Sequence, residues 1–174
     1  MRDNALTNAE VGEYMADHFA ATSQKIGTFR IVNEQKVGGN VASYFLRPDG
    51  TVLHAIPGKV DAATFLREAR FAVELNKLAL LHGEGSTLRQ KLVVAEGHGK
   101  RVLLVERQHN GNWAKPALTT TVDRQIAENA NNGVQAQLCA VLAVSPLPKL
   151  AALYPVVWEK ILNERVDLSP VEKK

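Results

Sequence analysis

Apolar side chains in the first twenty residues recur at helical spacing: Val11, Tyr14, Met15, His18 and Phe19 fall at i, i+3, i+4, i+7 and i+8. Thr7-Asn8-Ala9-Glu10 just before them fits a capping box, so a helix is predicted to begin there with its stripe facing a core. The pattern then shortens. Thr28 to Val32 reads as a strand, Val37-Gly38-Gly39-Asn40 as a break, and Val41 to Leu46 as a second strand. Arg47-Pro48-Asp49-Gly50 supplies a proline that presets φ, an aspartate that bonds the turn backbone and a glycine for positive φ. A hairpin of Val41 to Leu46 with Thr51 to Ile56 follows from that turn.

Pro57-Gly58 closes the hairpin, and Asp61 is placed to cap a helix with Phe65, Leu66, Ala69, Val73 and Leu80 on one face, ended by His82-Gly83. Leu88 to Glu96 is readable as helix or strand, with helix preferred. Arg101 to Glu106, bounded by Gly99 and Asn110-Gly111-Asn112, reads as a strand or as a buried helical piece. Val122 to Asn131 and Val134 to Val144 read as helices parted by Asn131-Asn132-Gly133. Leu150 to Glu164 returns to helical spacing, with Pro155 tolerated near a helix start or at a kink.

Composition adds exclusions rather than a function. The 174 residues are 45% hydrophobic and 22% charged, the balance of an ordinary globular chain. A net charge of +3 favours solubility and weak attraction to polyanions, and a nucleic-acid role is not expected from it. No apolar run approaches the roughly 20 residues of a membrane helix, and no secretory pattern opens the chain, so cytoplasm is the expected compartment. The single cysteine, Cys139, lies between Leu138 and Ala140-Val141-Leu142 and reads as a small buried side chain.

The hairpin string Tyr44-Phe45-Leu46-Arg47-Pro48-Asp49-Gly50-Thr51-Val52-Leu53-His54-Ala55-Ile56-Pro57-Gly58, followed by the helix of Phe65 and Leu66, resembles the C-terminal half of a thioredoxin-like domain. Thr7 to Phe19 is similar to the stretch after that family's active-site motif. The resemblance covers about Leu6 to Leu75. It implies an α/β fold with an incomplete or degenerate thioredoxin-like sheet and flanking helices over residues 1–83, and a mainly helical extension over residues 84–174.

Two features of the family are missing. The family's C-x-x-C pair would precede Thr7, where no cysteine stands, and its cis-proline is replaced near Val41 or Ala42. Thiol exchange needs one thiolate to attack a disulfide and a second thiol to resolve the mixed intermediate, which one sulfur cannot do alone. The opening strand is missing as well, so either another segment such as Arg101 to Glu106 fills its place or the native product starts upstream of Met1. The expectation is a non-catalytic module, not an enzyme, that binds a protein partner or itself. The alternative is a fragment of a longer thiol/disulfide oxidoreductase with its cysteines upstream.

Other chemistry finds little support in local spacing. Histidines 18, 54, 82, 98 and 109 form no H-x-x-x-H or H-E-x-x-H pattern, so no metal or cofactor is expected. Gly97-His98-Gly99-Lys100 departs from a phosphate loop and reads as a turn. Six cations between Arg89 and Lys115, beside Trp113, read as a solvated basic face, with polyanion binding as the sharper option. Trp113 at a turn, and Tyr154 and Trp158 in the apolar Tyr154-Pro155-Val156-Val157-Trp158, are candidate interaction residues, the latter pair expected to dock within the chain.

Overall fold

The structure is a computed structural model and describes residues 5–24, 30–32, 35–37, 40–108 and 121–164; of residues 30–32, 35–37 and 105–108 it describes the backbone alone. The fold is α/β and mostly helical. Among the described residues the strands form two separate antiparallel pairs, β1 (Arg30–Val32) with β2 (Gln35–Val37), and β3 (Ala42–Leu46) with β4 (Val52–Pro57). Val37, read from sequence as part of a break, ends β2 opposite Arg30.

The turn between β3 and β4 forms as its residues dictate. Gly50 donates to the Arg47 carbonyl at 2.9 Å with φ at +76°, and Asp49 Oδ1 accepts from both the Thr51 amide and its hydroxyl. The pairing then slips by one residue. Phe45 faces His54 but Leu46 faces Val52, which leaves Leu53 as the extra residue of a bulge. Side chains on the two sides of that bulge no longer alternate. Val52 and Ala55 face one layer, while Leu53, His54 and Ile56 face the other.

Helix α1 (Ala9–His18) is capped by Asn8, whose side chain accepts from the Val11 amide, one residue after the threonine that the spacing suggested. Thr7 closes a 3-10 turn instead, and Glu10 accepts from Arg70. The stripe of α1 does face the core: Val11 is buried, and Tyr14, Met15 and Phe19 pack beside it.

Helix α2 (Ala62–His82) starts at Asp61, which accepts from the Thr64 amide at 2.7 Å. Its first half buries Phe65, Leu66, Ala69 and Ala72 against Phe45, Ile56 and α1. Its second half buries Leu75 and Ala79 against Leu53 and Val94. The buried face therefore rotates along the helix as its neighbour changes, and Leu80, placed on the core face by spacing, is exposed.

Thr87–Gln108 is one continuous helix, α3. Arg101 to Glu106 is part of it and adds no strand. Gly97-His98-Gly99-Lys100 likewise lies inside the helix and is not a turn, for a steric reason: a Cβ on Gly97 would stand 2.5 Å from Leu75 Cδ1, so glycine lets α2 and α3 approach.

Helix α4 (Val122–Glu128) and a 3-10 turn (Ala130–Asn132) precede α5 (Val134–Val144), in which every residue from Ala136 to Ala143 is buried. A helix apolar on all sides needs cover on all sides. Helices α3 and α4, strand β4 and the last helical segment supply it. That segment begins as α6 (Leu150–Pro155) and widens to a π-type turn over Val156–Ile161 directly after Pro155, which lacks an amide hydrogen for the ladder. Before it, the Pro148 carbonyl accepts from the Val52 amide at 2.8 Å, which ties the C-terminal region to the hairpin. Strand β4, all six residues buried, is thus shared by both halves of the chain.

Candidate functional site

One polar cluster lies inside the layer between β4, α2, α3 and α5. The bulge turns His54 inward, α2 contributes Glu68, α3 contributes His98 and Arg101 one turn apart, and α5 contributes Gln135 and Cys139 one turn apart. His54 and His98 are fully buried, Glu68 is 1% exposed and Cys139 2%. Charged and polar groups are this deeply buried only when partnered.

Glu68 has the most partners. Its Oε2 lies 2.8 Å from His54 Nε2, and its Oε1 accepts from Arg101 and, more distantly, from the half-exposed Arg67. Burial works against its ionised form, but the hydrogen bonds from His54 and Arg101 and the charge of Arg101 outweigh it and hold the carboxyl well below the usual range. Arg101 also lies over the Phe71 ring, 4.2 Å from its centroid, so its guanidinium is boxed between a carboxylate and an aromatic face.

The two imidazoles are fixed through the same nitrogen. His98 Nε2 lies 2.9 Å from the carbonyl of Leu53, the bulge residue. A carbonyl only accepts, so Nε2 carries the hydrogen. His54 Nε2 faces the ionised Glu68 and is the donor there on the same ground. Gln135 donates its amide to the Ala55 carbonyl at 3.1 Å, and with His54 Nε2 committed to Glu68 its 3.3 Å approach to that atom is a contact of two donors. Each ring is left with Nδ1 as a bare acceptor, and neither Nδ1 has a hydrogen-bond partner among the described residues. Burial depresses both histidines, with the value for His98 at about 3. The rings stand 5.3 Å apart, both meeting Phe71 edge-on.

Cys139 completes the cluster. Burial pushes its thiol up to about 12, and the opposing effects of Arg101 and Gln135 are smaller. A donor atom from each of His54, His98 and Cys139 lies within 4.8 Å of the other two. His54, Glu68, His98 and Cys139 are closed to solvent, while Arg101 is 21% exposed and Gln135 is half-buried. The cluster can hold a proton, an ion pair or a small cation.

The interaction residues named from sequence lie elsewhere. Trp113 is outside the described residues. Trp158 is 3% exposed and packs beside the half-buried Tyr154, which in turn stacks on Tyr44 of β3 at 6.1 Å between centroids. Of the basic run, Arg101 is turned inward to Glu68, and Lys100 pairs with Glu96 on its own helix.

Sequence reasoning missed the cluster because it searched short spacings, whereas His54, His98 and Cys139 come from a strand and two helices far apart in the chain. One local signal pointed to it: a histidine in the middle of the apolar run Val52-Leu53-His54-Ala55-Ile56. Comparison with protein-family models, curated proteins and solved structures finds no match to this chain.

Proposed function

We propose that this chain is a non-catalytic module built on a thioredoxin-like hairpin-helix unit, acting in the cytoplasm by binding a protein partner or a second copy of itself. Two features of its chemistry and surface support the reading. The one thiol is buried and held protonated, which leaves no accessible sulfur in this chain for exchange. The observation that carries the binding role is the apolar surface of the α2–α3 pair. Leu78, Leu80 and Leu81 on α2 and Leu88, Leu92 and Leu104 on α3 are all exposed, from 45% to 71%. Single exposed leucines are ordinary, but their concentration on one helical pair is the kind of surface that association covers. Among the described residues no helix is long and apolar enough to cross a membrane, so that surface is not accounted for by a spanning segment.

The test combines sedimentation of the purified chain over a wide concentration range with chemical cross-linking in native extract. A Leu81→Glu/Leu88→Glu variant serves as the control. The reading expects a concentration-dependent dimer, or a discrete cross-linked species, that the variant loses while keeping its helical circular dichroism. A wild-type chain that stays monomeric and gives the same cross-linking pattern as the variant contradicts it.

A further inference from the structure

We propose that His54, His98 and Cys139 form a binding site for a single thiophilic d10 cation, Zn2+ or Cu+, which clamps β4, α3 and α5 together. The inference stands apart from the thioredoxin-like reading and from the surface of α2 and α3.

Three observations carry it. The first is the donor set: two imidazoles and one thiolate-forming side chain, all buried, with donor atoms mutually within 4.8 Å. Nitrogen and sulfur together select borderline and soft cations over Mg2+ or Ca2+, which take oxygen. Metal–ligand bonds of about 2.0–2.3 Å separate neighbouring ligand atoms by roughly 3.3–3.9 Å, so the three donors must converge by about 1 Å.

The second is the wiring of the imidazoles. A metal-binding histidine gives its other N–H to a carboxylate or a backbone carbonyl, which fixes the tautomer and aims the lone pair. Here both kinds occur side by side: His54 Nε2 with Glu68 and His98 Nε2 with the Leu53 carbonyl. The bulge at Leu53 serves this arrangement, since its extra residue presents the carbonyl and turns His54 to the same side. The nitrogen left on each ring, Nδ1, is buried without a protein partner. A buried acceptor left unpaired is costly, and a cation bound through these two Nδ1 atoms and the Cys139 sulfur would satisfy both.

The third is charge. The thiol proton leaves to solvent when the metal–sulfur bond forms, and no electron moves. With Glu68 and Arg101 cancelling, a thiolate and Cu+ leave the buried cluster neutral in a three-coordinate site. A thiolate and Zn2+ leave one net positive charge and call for a fourth ligand. The same donor chemistry serves both ions, and the experiment separates them.

The full chain, untagged and freed of metal, is loaded with Zn2+ in one arm and with Cu+ under anaerobic conditions in the other. Retained metal per chain is measured after gel filtration. Co2+ replaces Zn2+ in a parallel sample so that a thiolate-to-cobalt charge-transfer band reports sulfur ligation in the wild-type chain without any substitution. One ion per chain is expected, with affinity falling at least tenfold in His98→Gln and in Cys139→Ala and unchanged in a His18→Gln/His82→Gln variant of the exposed histidines. Retention of Zn2+ with the cobalt band assigns the zinc arm, and retention of Cu+ alone assigns the copper arm. If neither ion is retained, or if binding survives both cluster variants and disappears with the exposed histidines, the site does not exist.

Discussion

The two faces of strand β4 are covered in opposite ways. On one side Val52 and Ala55 meet Leu138, Val141, Leu142, Leu153 and Val157, a layer of hydrocarbon side chains. On the other, His54 meets Glu68, His98 and Arg101, and the layer closes over two nitrogen acceptors without protein partners. Hydrocarbon packing stabilises by area and tolerates repacking, whereas a buried polar cluster stabilises only when every member is satisfied. The second face therefore gives up stability that a leucine at position 54 or 98 would have supplied. The costlier chemistry there, beside a face packed with hydrocarbon, is the reason to read that cluster as a site.

Breaking the ion pair tests the contrast most severely. Glu68→Ala leaves Arg101 and His54 without their shared acceptor and should cost about 3–5 kcal/mol, read from the midpoint of urea unfolding. Replacing both charges, as in Glu68→Leu/Arg101→Met, should recover much of that loss, because an apolar pair needs no partner. Equal destabilisation by the single and the double change would mean that packing, not charge, governs this face.

On the hydrocarbon face, Leu142→Ala should cost about 2–5 kcal/mol through lost burial and the cavity left behind. Unlike the changes at Glu68, it should leave metal binding untouched in a chain that still folds. A smaller effect sharpens the boundary between the helices. Gly97→Ala pushes a methyl group into Leu75 and should cost about 1–3 kcal/mol in thermal unfolding. A neutral result there would show that α2 and α3 can move apart, and would undercut the argument that glycine sets their spacing.

Much of the backbone was legible along the chain because its signals are local. The Pro48-Asp49-Gly50 turn, the Asp61 cap and the helix Val134–Val144 each follow from residues within a few positions of one another. What was not legible depends on neighbours. The two short readings across Leu88 to Glu106 form a single helix: Gly97, which looks like a break in a sequence, sits where α2 packs closely, and Gly99, with open space beside it, is carried within the same helix. Leu80 left the core because the second half of α2 answers to α3 rather than to the hairpin. The cluster itself needed the bulge at Leu53, which no residue type announces, to set His54 and the Leu53 carbonyl toward His98.

The measurement that tests the metal site most directly is the unfolding free energy of the untagged chain at increasing free Zn2+ and, anaerobically, increasing free Cu+. Above its dissociation constant, an ion that binds only the folded chain raises stability by about 1.4 kcal/mol for each tenfold rise in its concentration. The account predicts that slope for one of the two ions in the wild-type chain and its loss in Cys139→Ala. A flat response to both ions, or an equal slope in the variant, would contradict it.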